Sequence, residues 1–199
     1  LWICLTYCIG SVPFGLVFAK TFCRIDPRTA GSGNVGATNV ARLCGKAWGA
    51  ATLACDLLKG TIPVFIAMQY STSELVWTLT ALAAILGHLY SCFLGFKGGK
   101  AVSVATGTII AIKPVLILPL LAVFFIVFLC SKMVSLASIC GAAAYPAVTF
   151  LYFHFVAGRD VVLTTCCAAV IGGLVIWLHR SNIQRIKNGT EYKFGRKKK

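Results

Sequence analysis

Gly31-Ser32-Gly33-Asn34-Val35-Gly36-Ala37-Thr38-Asn39-Val40-Ala41-Arg42 interrupts an otherwise apolar chain. Three glycines, two asparagines, a serine and a threonine fall within these twelve residues, and an arginine closes the run. Backbone N–H groups in such turns would have no partners in hydrocarbon, so the segment lies outside the lipid. Two readings of it stand side by side. It can be a glycine-rich turn between two helices. It can also be a phosphate cradle, because glycine lets the backbone approach a ligand and successive N–H groups form an anion-binding concavity. A helix from Val40 onward would add the partial positive charge of its N-terminus. Arg42 offers a planar fork of donors suited to phosphate.

The rest of the chain decides what surrounds this segment. Of 199 residues, 58% are hydrophobic and 12% charged, against about 25% charged in soluble domains. Mean hydropathy is +0.85. The fold class is therefore all-α: a polytopic integral membrane helix bundle of about seven transmembrane helices. The whole chain, 1–199, reads as one membrane-embedded domain with a short basic tail from about residue 180. The formal net charge of +14 reads as topology and anion attraction, and nucleic acid is excluded as a partner. Leu1 to Ala19 lacks a basic n-region and is taken as a span, not a cleaved leader. The ten cysteines are scattered through apolar segments and read as small apolar core residues.

Spans are expected at about 1–19, 47–70, 75–94, 101–112, 114–129, 134–157 and 161–178. The fourth is too short to cross a bilayer upright, which makes six spans the competing count. Cationic residues set the orientation. Lys20, Arg24, Arg28, Arg42, Lys46, Lys97, Lys100, Lys132 and the tail, including Arg196 to Lys199, fall on one side, and only Lys113 and Arg159 on the other. That bias puts the basic loops and the C-terminus in the cytoplasm and the N-terminus outside. Gly10 and Gly15 in the first span permit close helix packing.

Further polar residues mark the same face. Asp56 and Lys59 share a helix face in the second span. They either neutralise each other or leave Asp56 to orient a basic ligand-binding group in the neighbouring loop. The third span ends in Gly87-His88, followed by Phe96-Lys97-Gly98-Gly99-Lys100, where glycines expose N–H groups and lysines bring point charges. His88 is read as packing internally. The last span runs into His179-Arg180-Ser181-Asn182. His179 and Asn182 share a helix face, with Ile183 and Ile186 turned to the bundle. Glu191 is expected to pair with an arginine and hold the tail. Donors outnumber acceptors throughout, which suits a ligand carrying phosphate.

Chemistry prunes the choices. Two-metal catalysis needs clustered carboxylates, and the chain has five in all. No Gly-x-Ser-x-Gly elbow is present for a serine triad. A lipid phosphatase using His88 and His179 survives as an alternative. A transporter of phosphorylated metabolites would place its site near the midplane within inverted repeats, whereas the polar blocks here lie at one face.

The three blocks, Gly31 to Asn39, Gly87-His88 with Phe96 to Lys100, and His179 to Ile183 with Glu191, resemble the signature blocks of the PlsY-type, acyl-phosphate-dependent glycerol-3-phosphate acyltransferase family of bacteria. The resemblance covers nearly the whole chain in the right order. It implies acyl transfer from acyl phosphate to the 1-hydroxyl of glycerol-3-phosphate, giving lysophosphatidic acid and phosphate, early in phospholipid synthesis. It implies no metal, no coenzyme A and no other cofactor. It also implies a bacterial inner-membrane, multi-pass enzyme with its site on the cytoplasmic face, coupled to an acyl-phosphate-producing enzyme. The family's essential serine and arginine carry over to Ser32 and Arg42, and its essential histidine and asparagine to His179 and Asn182. Its glycerol-3-phosphate block carries over to Lys97, Gly98, Gly99 and Lys100. Gly31, Gly33, Asn34, Gly36, Thr38 and Asn39 are then substrate-binding, while Asp56, Lys59, His88 and Glu191 support them. Ala101 stands where the family often has glycine, which is harmless at negative φ. Either His179 or a substrate phosphate oxygen accepts the hydroxyl proton. With no carboxylate evident to orient His179, the substrate phosphate is favoured.

Overall fold

The computed structural model describes residues 1–158 and 161–195. Arg159, Asp160 and the terminal Arg196 to Lys199, which carry part of the charge bias, lie outside the described residues. The chain forms two compact units, Leu1–Lys113 and Pro114–Lys199.

The first unit holds α1 (Trp2–Ser11), α2 (Phe14–Cys23), α3 (Ala37–Cys44), α4 (Lys46–Tyr70), α5 (Glu74–Leu89) and α6 (Val102–Ile112). The expected continuous span over 1–19 is instead broken between α1 and α2. Pro13 has no N–H to continue the ladder and pushes Val12 out of the helical region, to ψ 118°. The broken turn frees two carbonyls, and neighbours satisfy them. Ser91 Oγ donates to Ser11 O at 2.6 Å, and Lys59 Nζ donates to Val12 O at 2.8 Å.

Small residues let these helices touch backbone to backbone. A Cβ at Gly10 would strike the Ala84 carbonyl, and one at Gly87 would strike that of Tyr7. The α1–α5 seam is therefore closed from both sides. Gly60 meets the Val104 carbonyl and Gly107 meets that of Leu57 across the α4–α6 seam. Thr61 Oγ1 adds a hydrogen bond to Gly107 O at 2.9 Å.

The second unit holds α7 (Ile117–Ser131), α8 (Val134–Tyr152), α9 (Val161–Leu178) and α10 (Arg180–Lys187). No residue of α7 is buried, as suits a helix facing lipid. The end of α8 widens into a π turn over Phe153–Ala157, where the His154 ring stacks on Phe150. Gly172 of α9 packs against the Ala142 carbonyl of α8.

Six segments among the described residues are long and apolar enough to cross a membrane: Trp2–Cys23, Lys46–Tyr70, Glu74–Leu94, Pro114–Ser131, Val134–Ala157 and Val161–Leu178. The fourth of the seven expected spans is α6. Its 11 residues reach roughly 16 Å at 1.5 Å per residue, about half the hydrocarbon thickness. All ten cysteines are unbridged. Cys4, Cys8, Cys92, Cys130 and Cys166 are exposed on the helices and turns, not buried in the core as expected.

Candidate functional site

The loop before α3 is organised by one side chain. Asn39 is 2% exposed. Its Oδ1 accepts from Ser32 N at 2.8 Å. Its Nδ2 donates to Pro27 O at 2.9 Å, Asn34 O at 2.8 Å and Ala30 O at 3.1 Å. Asn34 Oδ1 accepts from Gly36 N at 2.8 Å, and Gly33 N donates to Ala30 O at 3.1 Å. Gly31 and Gly33 turn the chain through φ 64° and 73°, where glycine alone carries no Cβ penalty.

These bonds revise two expectations. The N–H groups of Ser32, Gly33 and Gly36 are spent inside the loop, so they do not form the expected anion cradle. Asn39 likewise spends its amide on loop backbone and holds the loop's shape. The helix also starts three residues earlier than expected, at Ala37, because Gly36 takes an extended conformation as its N-cap. The groups best placed for a ligand are then the half-buried Ser32, Thr38 and Arg42 side chains. Thr38 and Arg42 lie one turn apart on the same face of α3. Upstream, the Asp26 carboxylate takes a bidentate hydrogen bond from Arg28, at 2.6 and 2.9 Å. This hydrogen bond holds its carboxyl well below the usual range.

The second loop follows α5. Gly98 N donates to Leu89 O at 2.9 Å and Gly99 N to His88 O at 3.0 Å. These two N–H groups also serve the fold and are not offered to a ligand as expected. What the loop presents is the exposed Lys97 and the half-buried Lys100. Ala101 has φ 57°, so the condition under which a methyl group is harmless there is not met. The left-handed region costs a non-glycine residue roughly 1–2 kcal/mol. Ala101→Gly is expected to raise the melting temperature in detergent by a few degrees, with no loss of order in α6. An unchanged or lowered value would contradict the strain.

Asp56 and Lys59 form a buried ion pair at 2.8 Å. Lys59 also caps Val12 O, so the pair stitches the α1–α2 break to α4. Asp56 Oδ1 lies 3.9 Å from His88 Nδ1, which is too long for a hydrogen bond.

In the second unit the chain breaks again at His179, which has φ −91° and ψ 8°. Its ring is 3% exposed, and Nδ1 lies 2.8 Å from Val175 O. A carbonyl only accepts, so Nδ1 carries the hydrogen, and in the neutral form of the ring the lone pair is then on Nε2. A backbone carbonyl thus does the orienting for which no carboxylate was evident in the sequence. On α10 the buried residue is Asn182, with Ile183 and Ile186 only half-buried. Asn182 Nδ2 donates to Glu191 Oε1 at 2.8 Å. Glu191 also accepts from Ser135 Oγ at 2.8 Å and from Arg185 Nε at 2.8 Å. Burial works against the Glu191 charge, but these three donors hold its carboxyl below the ordinary value. Beyond the glutamate, Phe194 N donates to Lys132 O at 2.8 Å and pins the tail to the α7–α8 turn. Ser135 could not be picked out from sequence, since nothing local ties it to a carboxylate 56 residues away.

These features define a class: a polytopic helical membrane protein whose apolar helices are joined by polar segments, in each of its two compact units. A family model described as glycerol-3-phosphate acyltransferase matches residues 1–189, and the chain belongs to this family. The glycerol-3-phosphate acyltransferase of Nitratidesulfovibrio vulgaris is 51% identical over 193 residues, 96% of this chain. The chain spans 56% of the length of that relative. The corresponding protein of Lawsonia intracellularis is 47% identical, over 96% of this chain and 93% of the relative. Among solved structures, the chain is similar to the glycerol 3-phosphate form of PlsY (YgiH), an integral membrane glycerol 3-phosphate acyltransferase. That match has a TM-score of 0.87 at 44% identity, covering 98% of this chain and 94% of the other. The lysophosphatidic acid form of PlsY matches with a TM-score of 0.83 at 42% identity.

Proposed function

We propose that this protein transfers an acyl group from acyl phosphate to the 1-hydroxyl of glycerol-3-phosphate. The glycerol oxygen attacks the acyl carbonyl, the bond from that carbon to the phosphate oxygen breaks, and inorganic phosphate leaves. The products are lysophosphatidic acid and phosphate. Acyl phosphate is already activated, so the protein need only position the hydroxyl and neutralise developing charge. Arg42 and the lysines of the second loop meet the phosphates, Lys97 and Lys100 taking glycerol-3-phosphate. Ser32 and Asn182 donate hydrogen bonds, and the Asn39-built loop holds Ser32 in place. The hydroxyl proton passes to His179 Nε2. The observation that carries this assignment is the Val175 carbonyl on Nδ1, which leaves the lone pair on the nitrogen a base requires.

Acyl phosphate as the donor rests on the resemblance of the three polar blocks, Gly31 to Asn39, Gly87-His88 with Phe96 to Lys100, and His179 to Ile183 with Glu191, to the acyl-phosphate-dependent family. The basic loops and C-terminus face the cytoplasm of a bacterial inner membrane, the side that an acyl-phosphate-producing enzyme would supply. Purified protein in detergent, given glycerol-3-phosphate with either palmitoyl phosphate or palmitoyl coenzyme A, tests this. Lysophosphatidic acid is expected from palmitoyl phosphate alone, and its formation is expected to fall at least about a hundredfold in Arg42→Ala. Turnover of the thioester, or an active Arg42→Ala, would contradict the assignment.

A further inference from the structure

The assignment of Lys97 and Lys100 to glycerol-3-phosphate is the reading on which this inference rests. We infer that His88 is a positioning residue for that substrate: its ring fills the space under the Gly98-Gly99 backbone, between that loop and the buried Asp56–Lys59 pair, and so sets where the two lysines stand.

Two contacts join the loop to this one residue. The His88 carbonyl accepts from Gly99 N, and the ring Nε2 occupies the space that a Cβ at position 99 would fill. Neither Gly98 nor Gly99 has a positive φ. Glycine is therefore required at these positions by space and not by backbone conformation. The two glycines differ in what fills that space. At Gly98 the obstacle is the His88 carbonyl oxygen, which every residue carries. At Gly99 it is the imidazole itself.

On its far side the ring looks onto a buried ion pair, across a gap too long for a hydrogen bond. Nδ1 faces Asp56 Oδ1 at 3.9 Å, Asp56 is held by Lys59 at 2.8 Å, and Lys59 by Val12 O at 2.8 Å. Asp56, Lys59 and His88 are 2%, 4% and 7% exposed. An ion pair so enclosed cannot shift without stranding a charge. The ring lies between this pair and the loop, and its contact with Gly99 sets where Lys97 and Lys100 stand.

The asymmetry between the glycines supplies the test. KM for glycerol-3-phosphate and kcat are measured with palmitoyl phosphate for the wild type, Gly98→Ala, Gly99→Ala and His88→Ala. The same is done for His88→Ala combined with each glycine substitution. Melting temperatures in detergent are taken first, and His88→Asn replaces His88→Ala should the latter not fold. Gly99→Ala is expected to raise KM about tenfold with kcat within about twofold. Adding His88→Ala is expected to return KM to within about threefold of His88→Ala alone. The same addition is expected to leave the Gly98→Ala defect unrelieved. Additive effects at position 99, equal rescue at both glycines, or a loss confined to kcat would overturn the inference. A wild type that makes no lysophosphatidic acid would overturn the functional reading instead, so the two failures are distinguishable.

Discussion

His179→Ala is expected to lower kcat roughly a hundred- to ten-thousand-fold, the range that positioned acid–base groups contribute, with a much smaller change in KM. The ring is buried, locked by Val175 O in the tautomer that leaves Nε2 as acceptor, and set at a break between α9 and α10. A variant that loses less than about tenfold in kcat would assign the proton to a substrate phosphate oxygen and leave His179 a packing role.

The second large effect is expected at Glu191. Its carboxylate gathers Ser135 from α8, Asn182 and Arg185 from α10, and lies at the root of the tail. Alanine there leaves the buried Asn182 amide and the Ser135 hydroxyl without their acceptor, while Arg185 retains water access. The expected cost is about 2–3 kcal/mol, with a loss of activity as the Asn182 side chain is released. Glu191→Gln keeps an oxygen for Asn182 and is expected to be milder. The pH dependence has a definite sign. The folded carboxyl lies below its ordinary value, so its stabilisation is present above the ordinary carboxylate pKa and is lost as pH falls through the folded one. Melting temperatures from pH 7 down to pH 3 should converge for the wild type and Glu191→Gln at the acid end. A constant gap across that range would show that the charge of Glu191 does not carry the effect.

Much of the architecture was legible because it depends on local composition. Apolar run length marked the spans, the shortness of 101–112 was evident, and Gly10 announced the close packing that α1 makes on α5. The polar blocks were found for the same reason, since residues such as Asn34 and Lys97 are costly in hydrocarbon. What the sequence could not show was which partner each group chooses. Glycines at 33, 36, 98 and 99 looked like exposed N–H donors, but those N–H groups are consumed by Ala30, Asn34, Leu89 and His88. The orienter of His179 is a main-chain carbonyl, and every residue type has one, so no side chain could signal it. The sign of φ at Ala101 depends on how the second loop meets α6, which spacing does not encode. Lys59 looked like a partner for Asp56 alone, because the Val12 carbonyl it caps appears only once Pro13 has broken the helix.

The most direct measurement is the stoichiometry of the two-substrate reaction. Purified protein in detergent with EDTA is mixed with palmitoyl phosphate and glycerol-3-phosphate, and phosphate and lysophosphatidic acid are followed together. One phosphate released per lysophosphatidic acid formed, with neither appearing when glycerol-3-phosphate is omitted, is the predicted result. Phosphate released without glycerol-3-phosphate would make the protein a phosphatase, and binding of glycerol-3-phosphate with no turnover would make it a carrier. Either result would contradict the account.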